Sequence, residues 1–197
     1  MRLRSLVVTT QPTVEPVSLA EAKAQLSLLP DQIDDDDLIV GLIASGRRVA
    51  EARLGVALAP QQLRAKWGYS IDGWPLSADG HGPAVLALPR TPVLTGGSYP
   101  IVVDVDGTTV SSSTYTVDAD AGEIRFTSTP NVIPTSTLTV TYSAGPAGRI
   151  APQVRSAILL MVGHLYANRE AASADRLAEV PMAVSMLLAS ASTSGRY

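Results

Sequence analysis

The chain has 197 residues, 46% of them hydrophobic, which is enough for one domain, or one domain with a helical annex, around a sizeable core. Lys and Arg number 15 against 18 Asp and Glu, a net charge of −3, and no segment carries a basic run. That argues against sequence-specific nucleic-acid binding, which needs clustered cations to neutralise phosphates. With no cysteine, disulfides, thiolate metal sites and thiol redox chemistry are excluded.

Residues 1–17 read as extended, with Leu6, Val7 and Val8 followed by Pro12 and Pro16. Their three-residue apolar core is too short for a signal peptide. Ser18 with Glu21 three residues on is a capping box, so a helix is predicted from there to about Leu28, with Pro30 as its stop. Asp34, Asp35, Asp36 and Asp37 open a second helix, in which Leu38, Ile39, Leu42, Ile43, Val49 and Leu54 recur near helical spacing. Arg47 and Glu51 are placed on its polar side at i, i+4, and Gly55 is the residue that ends it. Gly41 and Gly46 weaken that helix and allow close approach of a neighbour.

From residue 61 the pattern changes to short alternating segments. Gln62 to Trp67, Val85 to Leu88, Ile101 to Val105, Tyr115 to Val117, Glu123 to Phe126 and Thr137 to Tyr142 read as strands. Asp106-Gly107 and Asp120-Ala121-Gly122 are hairpin turns, and Gly145-Pro146-Ala147-Gly148 is a breaker. A long third helix follows, with Pro152 in its first turn and an apolar surface nearly all round, ending in His164, Tyr166, Asn168, Arg169 and Glu170. Such a helix must be buried, so Leu160→Asp is expected to prevent folding. Pro181 starts a short fourth helix, and the small, polar residues 189–197 form a tail.

The order helix, helix, strands, helix, short helix predicts an α+β fold. Its body is a helical bundle of two N-terminal helices, a long third helix and a short C-terminal helix, with an inserted antiparallel β region. The expected parts are the N-terminal helices in 1–60, the β-rich insertion in 61–145, the C-terminal helices in 146–190 and a flexible tail in 191–197.

None of the chemistry-bearing patterns makes a catalytic or cofactor constellation. The four consecutive aspartates suit helix capping better than a cation site. Asp104 to Gly107 starts like a calcium loop but has Tyr115 where the twelfth-position glutamate belongs. The two histidines, His81 and His164, are too few for a zinc site, and His164 fits a hydrogen-bonding role in a core or interface. No Gly-x-Ser-x-Gly elbow and no phosphate-binding glycine motif occurs. Trp67, Tyr69 and Trp74 fit core packing and loop anchoring better than a ligand face. No catalytic residue, metal ligand or cofactor is therefore assigned, and no membrane partner.

Several segments in order resemble the head-tail connector (adaptor) proteins of long-tailed bacteriophages, the group related to phage phiE125 gp8 and the gp6-like connectors. They are Val17-Ser18-Leu19-Ala20-Glu21-Ala22-Lys23, Asp36-Asp37-Leu38-Ile39, Leu88-Pro89-Arg90-Thr91-Pro92-Val93 and Tyr115-Thr116-Val117-Asp118. After these come Val140-Thr141-Tyr142-Ser143-Ala144-Gly145, Ala157-Ile158-Leu159-Leu160 and His164-Leu165-Tyr166-Ala167-Asn168-Arg169-Glu170-Ala171. Two departures lie in the β region. Tyr99-Pro100 stands where members carry a tyrosine-containing strand, and Thr129-Pro130 stands near the place of a Trp-Pro.

The resemblance implies a structural ring, usually of twelve subunits, that docks on the portal, links the capsid to the next neck or tail protein and extends the channel for double-stranded DNA. It places the chain in the virion neck, and in the host cytoplasm during assembly. It makes Ser190, Ala191, Ser192, Thr193, Ser194, Gly195, Arg196 and Tyr197 the portal-binding tail. The polar end of the third helix, His164, Tyr166, Asn168, Arg169 and Glu170, becomes the candidate subunit interface. A net acidic chain suits a channel that does not grip DNA. The competing readings are a stopper or tail-completion protein, expected to be richer in strands, and a small hydrolase using His81 or His164.

Overall fold

The computed structural model describes residues 2–68, 84–127, 135–146, 148, 150–168 and 182–193. Its order is β1 (Arg2–Thr10), α1 (Leu19–Gln25), α2 (Asp36–Leu54), β2 (Gln61–Gly68), β3 (Val85–Ala87), β4 (Val93–Leu94), β5 (Val102–Val105) and β6 (Thr108–Thr109). It continues with β7 (Tyr115–Asp118), β8 (Glu123–Phe126), β9 (Thr137–Ala144), α3 (Pro152–Ala167) and α4 (Met182–Thr193). The chain divides into two compact units, residues 1–13 with 59–147, and residues 14–58 with 148–197.

The first unit is built of two antiparallel sheets. One has the order β1-β2-β9-β5-β6, with β4 also paired to β9, and the other is β3-β8-β7. The expected helical bundle with a β insertion is therefore not the fold: this is a β-rich α+β protein. The sequence pattern underweights the strands for two reasons. β1 clusters its apolar residues instead of alternating them, and β3 and β5 have only three and four residues, with partners on β8 and β9 distant in the chain. β1 is not a leader to the helices but pairs along its length with β2, more than fifty residues on (Val8 opposite Leu63).

Alternation sets the inner faces. Leu63, Ala65 and Trp67 of β2, Val103 of β5, and Leu138, Val140 and Tyr142 of β9 are buried, while Arg64 and Lys66 between them are exposed. Asp106 and Gly107 join β5 to β6 with φ of 51° and 83°, the left-handed pair of a two-residue type I′ hairpin. The Asp106 carboxylate also accepts the Thr137 amide at 2.8 Å, and that bond, with one from Ser136, holds its pKa below the usual value. In the smaller sheet Tyr115 and Phe126 face each other across β7 and β8 with ring centroids 6.1 Å apart.

Tyr142 is fully buried, and its hydroxyl accepts the Arg90 amide at 3.2 Å. Burial pushes the phenol well above its ordinary pKa of 10.0, because the phenolate would lose its solvation. The folded state therefore holds this proton more tightly than the unfolded chain. The associated stability is present in full below the ordinary phenol pKa and is lost as pH rises above it toward the raised value. Tyr142→Phe is expected to flatten the alkaline limb of the stability–pH curve, measured by urea unfolding between neutral and strongly alkaline pH. An unchanged limb contradicts the assignment.

The second unit gathers its helices on one core of Val17, Ala22, Ile39, Ile43, Ala50, Leu58, Ile150, Val154, Ala157, Ile158, Met161, Val162, Val184, Leu188 and Ala191. Ser18 caps α1 in a complete capping box: the Glu21 amide donates to its Oγ, and Glu21 Oε2 accepts the Ser18 amide at 2.9 Å. The other oxygen of Glu21 pairs with Arg155 of α3, so one carboxylate both caps α1 and ties it to α3. Gly55 ends α2 with φ 71°. Gly46 lets α3 close on α2, since a β-carbon there would stand 3.3 Å from Ile158 Cγ2.

Arg47 and Glu51 are not on a polar face. They are 1% and 3% exposed and pair at 2.9 Å, with Glu15 on the Arg47 Nε at 2.7 Å. Nor is α3 buried all round. Leu160 is 37% exposed whereas Ile158 is 1% exposed, so the expectation that Leu160→Asp prevents folding is corrected. Leu160→Asp is now expected to cost no more than about 1 kcal/mol, chiefly helix propensity. Ile158→Asp, which buries an unpaired carboxylate, should unfold this unit. Urea titrations followed by circular dichroism separate the two. Equal losses would contradict the observed orientation of α3.

Candidate functional site

The polar end of α3 is built by its own cap and by one long-range bond. Tyr166 is half-buried, and its hydroxyl donates to Asp35 Oδ2 at 2.6 Å. That bond ties the end of α3 to the residue preceding α2. Asp35, at the N-cap of α2, makes no side-chain capping bond. Asn168 closes α3: its amide and its Nδ2 both donate to the His164 carbonyl, at 3.2 and 2.7 Å. The Asn168 Nδ2 also lies 3.5 Å from His164 Nδ1. The structure thus brings His164, Tyr166 and Asn168 together on one helix end. Arg169 and Glu170 lie outside the described residues.

The acidic run divides its labour. Asp35 takes Tyr166, and Asp36 pairs with the buried Lys23 at 2.6 Å, which also donates to the Pro30 carbonyl at 3.2 Å. A cavity of about 410 Å³ sits over this pair, walled by Leu19, Ala20, Ala24, Leu28 and Pro30. Its chemistry is that of an apolar groove with one ion pair, with neither histidine nor serine in its wall. Among the described residues no group of three or more His, Asp or Glu is placed to hold a metal ion. None of the described helices is long and apolar enough to cross a membrane.

The C-terminal segment starts inside α4. Ser190 is exposed and donates to the Leu187 carbonyl at 2.8 Å, Ala191 is buried, and the helix continues through Ser192 and Thr193. Ser194, Gly195, Arg196 and Tyr197 lie outside the described residues, as do His81, Tyr69, Trp74 and Thr129-Pro130. Trp67 is 5% exposed, a core residue. Sequence reasoning paired Arg47 with Glu51 at i, i+4 but missed their burial, the Arg47–Glu15 bond and the Tyr166–Asp35 bond, because neither residue spacing nor residue type marks partners 32 and 131 positions apart.

Nearly the full length of the chain has similar solved structures. This chain is similar in fold to a chain from the neck of a gene transfer agent particle. The similarity to a structure of the neck of an empty particle, computed with C6 symmetry, has a TM-score of 0.68 at 19% identity and covers 95% of both chains. To the neck of the native particle computed with C12 symmetry it has a TM-score of 0.64, again at 19% identity, covering 97% of this chain and 94% of the other. A chain of the native virion gives 0.63 at 19% identity, over 95% and 94%. At this identity the likeness is one of fold. No family model and no curated protein matches the chain.

Proposed function

We propose that this chain is a structural head-tail connector, an adaptor of the phiE125 gp8 and gp6-like kind. In this reading it forms a ring in the virion neck, docks on the portal, meets the next neck or tail protein and extends the channel for double-stranded DNA without reading its sequence. The observation that carries the reading is the likeness of fold over 95% of both chains to a chain of a particle neck. The work is structural and not enzymatic, and it calls for no cofactor and no membrane. Assembly in the host cytoplasm precedes entry into the particle.

Within this reading the end of α3 (His164, Tyr166, Asn168, Arg169 and Glu170) is the subunit interface, and residues 190–197 reach the portal. The nine described strands favour one second reading, a stopper or tail-completion protein lying one layer further from the portal. Native mass spectrometry of the full chain mixed with its assembled portal tests the proposal. A ring of copies on the portal is the expected result. A chain that stays monomeric and unbound in the presence of portal would overturn it, and a ring that forms only once another neck protein is added would favour the second reading.

A further inference from the structure

The antiparallel register of β1 and β2 gathers four cations that are dispersed in the sequence. Lys66 lies opposite Ser5, Arg64 opposite Val7 and Arg2 opposite Gly68, so all three basic side chains leave the same face of the sheet. Arg4 joins them through an irregularity: the register shifts between Leu3 and Ser5, and a β-carbon on Gly68 would fall on the Arg4 guanidinium, which occupies that space on the same face. All four residues are exposed, and among the described residues none of them is in an ion pair.

The face continues on β9 with Thr139 beside Lys66 and Thr141 beside Arg64, two hydroxyls able to donate to phosphate. The nearest carboxylate in register, Asp104, lies on β5, two strands from Lys66 at about 10 Å, and accepts the Thr109 hydroxyl at 2.7 Å. Arg2, Lys66 and Arg64 each face a small or neutral residue across the strand pair, which leaves the charged ends room to spread over about 13 Å of sheet.

We propose that this outward face of β1 and β2 binds the phosphate backbone of double-stranded DNA. It deepens the connector reading, and rests on it for the source of the polyanion. The ligand class follows from the chemistry. Four unpaired cations with flanking hydroxyls suit a regular row of phosphates. The described residues of the face offer no exposed aromatic for stacking bases, since Trp67 points to the opposite, buried face, and this selects duplex over single strand. With contacts to backbone alone, the face does not distinguish sequences.

The test is binding of the full chain to short labelled duplexes of two unrelated sequences across a salt series. Equal affinity for both is expected, with log K falling against log salt at a slope of up to about −3.6, or 0.9 for each of four phosphates. Arg64→Glu with Lys66→Glu should weaken binding at least tenfold with an unchanged circular dichroism spectrum, while Arg48→Ala, at an exposed cation of α2, leaves it unchanged. Any of four results would overturn the proposal: no loss in the double variant, tighter binding to single strands, equal retention on phosphatidylserine vesicles, or loss of self-association in place of duplex binding. Portal binding read on the same variants separates the two claims. Loss of duplex binding by the native chain with portal binding intact would remove this inference alone, whereas duplex binding without portal binding would remove the connector reading.

Discussion

Replacing Arg47 with alanine is expected to cost about 3–5 kcal/mol of stability, the range for breaking a buried ion pair from one side. Arg47 is the largest fully buried side chain of the described residues, and it neutralises Glu51, itself 3% exposed, while also holding Glu15. Without it, Glu51 still accepts the Leu58 amide at 2.9 Å but loses the Arg47 guanidinium from a buried site. Glu15, whose side chain is 23% exposed, can be hydrated instead. The loss should therefore come from Glu51. Combining Arg47→Met with Glu51→Gln should recover most of it, because the amide oxygen still accepts from Leu58 and no charge stays buried. Urea unfolding with a common slope measures both. A loss below about 1 kcal/mol for Arg47→Ala would contradict the buried geometry.

Gly145→Ala is the second large effect, on the order of 3 kcal/mol, from backbone strain and overpacking together. Gly145 has φ 150°, a region that side-chain-bearing residues avoid, and a β-carbon there would lie 2.6 Å from the Pro60 N and Cα. Backbone on that side does not yield as a flexible side chain would. The Gly145 amide also donates to the Pro92 carbonyl at 2.9 Å, so a shift to relieve the clash would break a bond that anchors the end of β9. Gly41→Ala is the opposite case. It lies in α2 with nothing within 4 Å of a β-carbon and should stabilise by roughly 0.5–1 kcal/mol. Thermal unfolding of the pair should move the melting temperature in opposite directions. A neutral Gly145→Ala would mean that the turn after β9 relaxes freely.

What the sequence discloses is local. Ser18 with Glu21 is a capping box in both sequence and structure, because that motif closes within four residues. Asp106-Gly107 is a type I′ hairpin for the same reason, since the residues that demand positive φ are the turn itself. What stays hidden is decided by partners far along the chain. An Arg and a Glu at i, i+4 look the same on a wet helix face as in a core, and only Glu15 and Leu58 make the difference. β1 looks like an extended leader until β2 supplies its other half, which is why the weight of the fold shifts from helices to sheets. The basic face is hidden in the same way: Arg2 and Arg4 stand some sixty residues before Arg64 and Lys66, and no scan for basic runs unites them. At the end of α3 the residues were legible as a polar cluster, but Asp35, which takes the Tyr166 hydroxyl, read as a helix cap.

The proposed connector role makes this chain a ring-forming component of a particle neck. Electron cryomicroscopy of the purified particle, focused on the neck, measures it most directly. The expected map holds a ring of copies of this fold in contact with the portal, with the β1–β2 face turned toward the DNA. A neck map whose rings all fit other chains, with this chain absent from the particle, would contradict it.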